Sequence, residues 1–238
     1  MAHHLVFPDL LQVRSIGVIF YVLRDVRGLH LIDAGFVGCR LLLRRALQAI
    51  GWDREPIKTL IATHGHLDHI LNVGRLAAET GAMIAAPRLD APHYEGQPRY
   101  SGAAKVTGWL EALGRPLLGF RKFTPDLLLD DGDALDVWGG LRVVHLPGHT
   151  AGHSGWYCES RRLLFSADLF ASHTIFPMLP PAIFNMDGEG VRRSVATALA
   201  LDLTGVLPNH GDRAPPEVHL ERLKALGRKI TSRTIPQI

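Results

Sequence analysis

Cysteine is almost missing from this chain, with two residues, Cys39 and Cys158, among 238. Two are too few for a disulfide scaffold, and one sits in a helix-like stretch and the other in a strand-like one, so they are not spaced as a metal pair. A reducing, cytoplasmic setting fits them. No run of eighteen apolar residues occurs, and Met1 is followed by Ala2, His3, His4 and mixed sequence rather than a charged-then-apolar leader, so no membrane partner is expected. Charge of one sign is scarce as well: 26 Lys and Arg against 23 Asp and Glu leave a formal +3. The pI is near 9.1, yet the basic residues come in pairs (Arg44 and Arg45, Arg161 and Arg162, Arg192 and Arg193) and form no block, so no nucleic acid partner is expected. No linker rich in Gly, Pro or Ser and no helical repeat divides residues 1–238, which read as one domain. With 47% hydrophobic and 21% charged residues, that domain can bury a sizeable core.

What is there is an alternation of strand-like and helix-like runs, which predicts an α/β architecture. Residues 16–23 and 29–32 flank the turn RDVRG as a hairpin ending in Asp33, Ala34 and Gly35. Leu42, Leu43, Ala46, Leu47 and Ile50 predict a helix over 37–50, stopped by Gly51. The strand KTLIAT follows, then a helix from about Asp68 to Gly81 and the strand AMIAAP. Further on, strands are predicted at 127–129, 134–137, 141–146, 154–158, 163–166 and 204–208, with helices at 188–202 and 216–230. The stretch 88–126 reads as irregular. Residues 169–186, Pro-rich and carrying Leu169, Phe170, Ile175, Phe176, Met178, Leu179, Ile183 and Phe184, read as a long apolar loop.

The chemistry concentrates in THGHLDH at 63–69, directly after a strand. Imidazoles and a carboxylate suit a divalent cation such as zinc, and His64 and His66, two apart in a tight turn, can converge on one ion. Asp68 and His69 lie past the turn and aim elsewhere. Three more such residues lie in strand-end sequence, where open sheets place their sites: His149 in LPGHT, Asp168 in SAD and His210 in NHG. Five histidines and two aspartates suffice for two metal ions, one held by three histidines and the other by two histidines and an aspartate, with the second aspartate able to bridge.

The series LIDAG at 31–35, THGHLDH at 63–69, PGHT at 147–150, SAD at 166–168 and NHG at 209–211 resembles the metallo-β-lactamase superfamily in order and approximate spacing, over about residues 15–215. The resemblance implies a four-layered αβ/βα sandwich of two facing mixed β-sheets with helices outside, and a metal site along one edge. It implies that His64, His66 and His149 bind a first metal and Asp68, His69 and His210 a second, with Asp168 between them. Asp33 would accept the outer N–H of a ligand histidine. Two divalent ions, zinc or else iron or manganese, would lower the pKa of a shared water toward neutrality and supply a bridging hydroxide, with Asp68 orienting it and carrying a proton. His145 and His153 are read as supporting residues, His173 as a substrate contact, and His3, His4, His30, His93 and His219 as surface residues.

Departures from particular branches bear on substrate. Zinc β-lactamases typically carry cysteine where this chain has Asp168, which argues against antibiotic hydrolysis. Glyoxalase II enzymes share all seven ligands but add a C-terminal helical domain, whereas 28 residues follow His210 here. Quorum-quenching lactonases often place a tyrosine after the bridging aspartate, and Tyr157 is the last tyrosine of this chain. The expectation is a dinuclear hydrolase of a small ester, thioester or lactone with an apolar part, with the loop 169–186 as substrate wall or as the contact of a homodimer. A mononuclear iron persulfide dioxygenase is the alternative, and a phosphodiesterase the next.

Overall fold

The computed structural model describes residues 2–173 and 176–234. Seven strands form the first sheet in sequence order: β1 (His3–Phe7), β2 (Leu10–Arg14), β3 (Ile19–Asp25), β4 (Gly28–Ile32), β5 (Ile57–Ile61), β6 (Met83–Pro87) and β7 (Leu127–Leu129). Pairing is antiparallel from β1 to β4 and parallel from β4 to β7. The second sheet runs β8 (Ala134–Leu135), β9 (Leu141–His145), β10 (Ser154–Cys158), β11 (Leu163–Ser172), with β12 (Pro177–Met178) antiparallel and β13 (Gly205–Gly211) parallel to β11.

Strand period sets the layers. Along β3, Ile19, Tyr21 and Leu23 enter the core between the sheets while Phe20 and Val22 face the opposite side. Between the sheets they meet Trp156 and Phe165. Outside the first sheet pack α1 (Cys39–Ile50) and α3 (Val73–Thr80), through Leu43, Leu47 and Leu76. Outside the second pack α6 (Gly188–Leu199) and α7 (Pro216–Thr234), through Val195, Leu220 and Leu223. The four-layered mixed sandwich is thus present. Among the described residues, no helix is long and apolar enough to cross a membrane.

Several expectations need correction. The opening residues, for which no element was expected, form the β1–β2 hairpin. The helix read from Asp68 to Gly81 is two, α2 (Leu67–Ile70) and α3, because the Asn72 amide between them donates to the carbonyls of Gly35 and Phe36 at 3.1 and 2.9 Å. The irregular stretch 88–126 holds α4 (Ala91–Tyr94) and the thirteen-residue α5 (Lys105–Leu117). The strand read at 163–166 continues as β11 to Ser172, so Leu169 and Phe170 are buried sheet residues and not loop. Ile175 lies outside the described residues. His30, His93 and His219, read as surface residues, are each 2% exposed. Each is compensated for burial by a polar partner: Thr59 Oγ1 at 3.1 Å, the Gly65 carbonyl at 3.1 Å and Ser172 Oγ at 2.6 Å.

Candidate metal centre

Apolar β5 runs between two parallel neighbours and releases the chain into a turn carrying His64 and His66, after which α2 presents Asp68 and His69. His149 comes from the loop between β9 and β10, and His210 from the C-terminal end of strand β13. Asp168 lies inside β11, where register breaks on either side of Ala167 and that residue takes φ 47°. A bulge of this kind re-aims the next side chain, which is how a strand interior contributes a site residue.

The donor atoms of His64, His66 and His149 lie within 4.8 Å of one another, as do those of Asp68, His69 and His210, and a third such group joins His64 and His69 to Asp168. The Asp168 carboxylate stands between the sets: Oδ1 is 3.3 Å from His69 Nε2, while Oδ2 is 3.3 Å from His149 Nε2 and 3.0 Å from His210 Nε2. The residues expected to converge therefore do so.

The arrangement fits divalent cations. His64, His66, His69 and His149 each bury an Nε2 with no hydrogen-bond partner, and Asp168 Oδ1 is likewise unpartnered. Leaving so many polar atoms unsatisfied at one place costs about 1–3 kcal/mol each, whereas nitrogen and carboxylate donors at this spacing are what zinc-like ions take.

The opposite ring nitrogens are tied. His69 Nδ1 donates to Asp33 Oδ2 at 2.8 Å, His149 Nδ1 to Asn185 Oδ1 at 2.9 Å and His210 Nδ1 to the Gly17 carbonyl at 2.8 Å. His64 Nδ1 donates to Thr63 Oγ1 at 2.9 Å, and that hydroxyl donates to Asp33 Oδ2 at 2.9 Å. Each tie fixes the tautomer that leaves Nε2 free to face inward. Asp33, itself at φ 62°, also accepts from the Thr63 backbone N–H and from the Asn209 amide. It stands where the resemblance placed it.

Burial drives the His64 and His66 pKa values well below the ordinary histidine range, so both rings are neutral. Burial also opposes charge on His69 and His210, but the carboxylates outweigh it, Asp168 foremost. They hold His69 well above its usual value and raise His210 to about 9. Asp168 is pulled well below the carboxylate range by His210 and His69 against the cost of its burial. This end of the site calls for positive charge, which imidazolium protons or a divalent cation can supply.

Sequence reasoning missed the supports. Asp90, fully buried, accepts from the Gly65 N–H at 2.8 Å, Thr150 Oγ1 at 2.6 Å and the Gly152 N–H at 2.7 Å, tying the His64–His66 turn to the His149 loop. Glu111 on α5 accepts from the Leu67 N–H at 2.8 Å and from Arg115 at 2.8 Å. No local pattern marks either residue, although an aspartate just before Ala-Pro at a helix start is a weak signal for Asp90. His153 donates from Nδ1 to the Leu146 carbonyl and accepts at Nε2 from the Asp168 backbone N–H. Burial pushes its pKa down to about 3, so it serves as a neutral prop beneath Asp168. His145 turns away, toward the Ala151 carbonyl at 2.8 Å.

Above the cluster opens a cavity of about 370 Å³. His66, Asp68, His149, Asp168 and His210 form its floor, and His173, exposed, stands on its rim. Phe36, Leu110, Leu118 and Phe184 give it apolar walls, joined by Phe170 from β11.

The profile of the metallo-β-lactamase superfamily matches residues 17–210. The chain belongs to the metallo-β-lactamase superfamily. Among curated relatives, it is 27% identical over 202 residues to the probable metallo-hydrolase YflN of Bacillus subtilis, covering 76% of this chain and 74% of that one. To a hydroxyacylglutathione hydrolase of Cereibacter sphaeroides it is 30% identical over 125 residues, covering 52% of this chain but only 37% of that enzyme. Among solved structures, BJP-1, a subclass B3 metallo-β-lactamase of Bradyrhizobium japonicum, superposes with a TM-score of 0.70 at 21% identity, covering 98% of this chain and 93% of the other. At that identity the likeness speaks for the fold alone.

Proposed function

We propose that this member of the superfamily is a dinuclear metal-dependent hydrolase of a small ester, thioester or lactone with an apolar part. The observation that carries the reading is the Asp168 carboxylate standing between two complete donor sets at the floor of an apolar cavity. His64, His66 and His149 would hold one ion, Asp68, His69 and His210 the other, and Asp168 both. Zinc is the ion we assign, since the donors are imidazole nitrogen and carboxylate oxygen; iron or manganese would take nearly the same set. Such ions polarise the attacked carbonyl and lower the pKa of water to near neutrality.

The chain's own residues do the rest. The ties on the outer ring nitrogens of His64, His69, His149 and His210 keep those rings aimed. Asp68, 35% exposed at its side chain and facing the cavity, is placed to hold a proton on its carboxylate and pass it to the departing oxygen or sulfur. The walls bury the apolar part of the substrate and exclude water from it. His173 at the rim would contact the substrate. The relative named a hydroxyacylglutathione hydrolase acts, by its name, on an acyl group carried on sulfur, which supports a thioester. The match omits most of that enzyme, so glutathione is not part of this reading. Cys39 and Cys158, both buried and unpaired, support a cytoplasmic setting.

The test is metal analysis of protein purified without added metal, paired with a panel of thioesters, esters and lactones. The expected result is two zinc ions per chain and turnover abolished by chelation and restored by zinc. One iron per chain with oxygen uptake on a persulfide would replace the reading with a dioxygenase.

A further inference from the structure

Helix α5 carries two interior glycines, and glycine is a poor choice within a helix. Gly108 has a packing reason: a Cβ there would run into the ring of Tyr100, which itself stacks on His66 at 5.6 Å between centroids. Gly114 has none of this kind. A Cβ at Gly114 would meet only Leu67 at 3.6 Å and Leu118 at 3.9 Å, ordinary contact distances, and its φ is not left-handed. What a side chain there would occupy is the cavity, which Gly114 lines.

From this we infer that the cavity is an acyl-chain subsite whose depth is set by the missing side chain at Gly114, and that the substrate's apolar part is an uncharged acyl chain. The inference rests on the hydrolase reading and gives it a substrate class. The apolar lining beside the floor of histidines and aspartates is made by Phe36, Leu110, Leu118, Phe170 and Phe184. No lysine or arginine lines the cavity among the described residues. Glu111, the one carboxylate there outside the metal cluster, is already bonded to the Leu67 N–H and Arg115. Apart from His173 at the rim, nothing in the wall would therefore compensate the burial of a charged arm, whereas each methylene laid against it gains the apolar transfer energy. A chain with its carbonyl at the floor would run past the helix at Gly114, the cavity-lining position where the helix offers no side chain.

The experiment uses the metal-loaded protein with thioesters of N-acetylcysteamine from acetyl through butanoyl and hexanoyl to octanoyl, and measures in parallel the affinity of the matching alkanoates by calorimetry. Expected is a rise in kcat/KM of about threefold to fourfold per methylene until the cavity is full, mirrored by the alkanoate affinities. Gly114→Leu should lower the ratio of octanoyl to acetyl kcat/KM at least tenfold, and Gly114→Ala should lower it less, with metal content and melting temperature measured to show that both variants fold. A flat kcat/KM from acetyl to octanoyl, or an unchanged ratio in folded Gly114→Leu, would overturn the acyl subsite while leaving hydrolysis standing. No turnover of any thioester, ester or lactone would overturn the hydrolase reading and the acyl assignment with it.

Discussion

Single residues show where local pattern ends. Asp33 could be singled out because LIDAG belongs to a series of motifs, and it indeed accepts the outer N–H of His69. Asp90 makes three comparable bonds and belongs to no such series, since its partners Gly65, Thr150 and Gly152 are distant in the chain. His219 escapes local pattern for a related reason: an imidazole on a charged helix looks solvated until its neighbours are known. Burial lowers its pKa to about 4, against a smaller opposing pull from Asp212. The unfolded chain, with a histidine pKa near 6.5, thus takes up a proton that the folded state refuses. The stability this group contributes is present in full above about pH 6.5 and lost as pH falls toward 4. In urea unfolding, the stability difference between the protein and His219→Gln is expected to shrink from pH 7 to pH 4.5. A difference independent of pH would sink the assignment.

At the scale of elements, α5 explains most of what the sequence concealed. Its polar residues Thr107, Glu111 and Arg115 face inward, while Val106, Trp109, Leu113 and Leu117 are exposed. Hydrophobic patterning assumes the reverse, and two glycines and Pro116 weaken the helical signal further. The inverted helix braces the turn that carries His64 and His66: Glu111 holds the start of α2, and Arg115 donates to the His93 carbonyl at 2.9 Å and lies over the Phe120 ring at 4.5 Å. Both members of the Glu111–Arg115 pair are more than nine-tenths buried at their side chains. Removing one partner leaves the other charge stranded, so Glu111→Leu should cost about 3–5 kcal/mol in urea unfolding, and Glu111→Leu with Arg115→Leu markedly less. Equal costs for the single and double variants would show that the pair is not what matters there.

For the whole molecule, the two sheets carry their cores on both faces, and the ligand residues come from both sheets. A cation bound at that seam therefore stabilises the assembled sandwich and not the unfolded chain. Removing metal should lower the melting temperature, and free zinc a thousandfold above its dissociation constant should restore about 4 kcal/mol. Calorimetry across a range of buffered zinc checks this, and a melting temperature that ignores zinc would contradict metal binding at the seam.

Residue order alone determined the alternation of strands and helices, the HxHxDH turn and the positions of His149, Asp168 and His210, because histidine and aspartate motifs and apolar periods are short-range signals written in residue type. Only the tertiary structure decided which atoms remain free to face a cation, that Asp168 stands on a bulge within β11 and not past a strand's end, and that α5 closes one side of the cavity with a glycine. Those features depend on contacts between segments far apart in the chain, where burial and hydrogen-bond satisfaction outweigh local propensity.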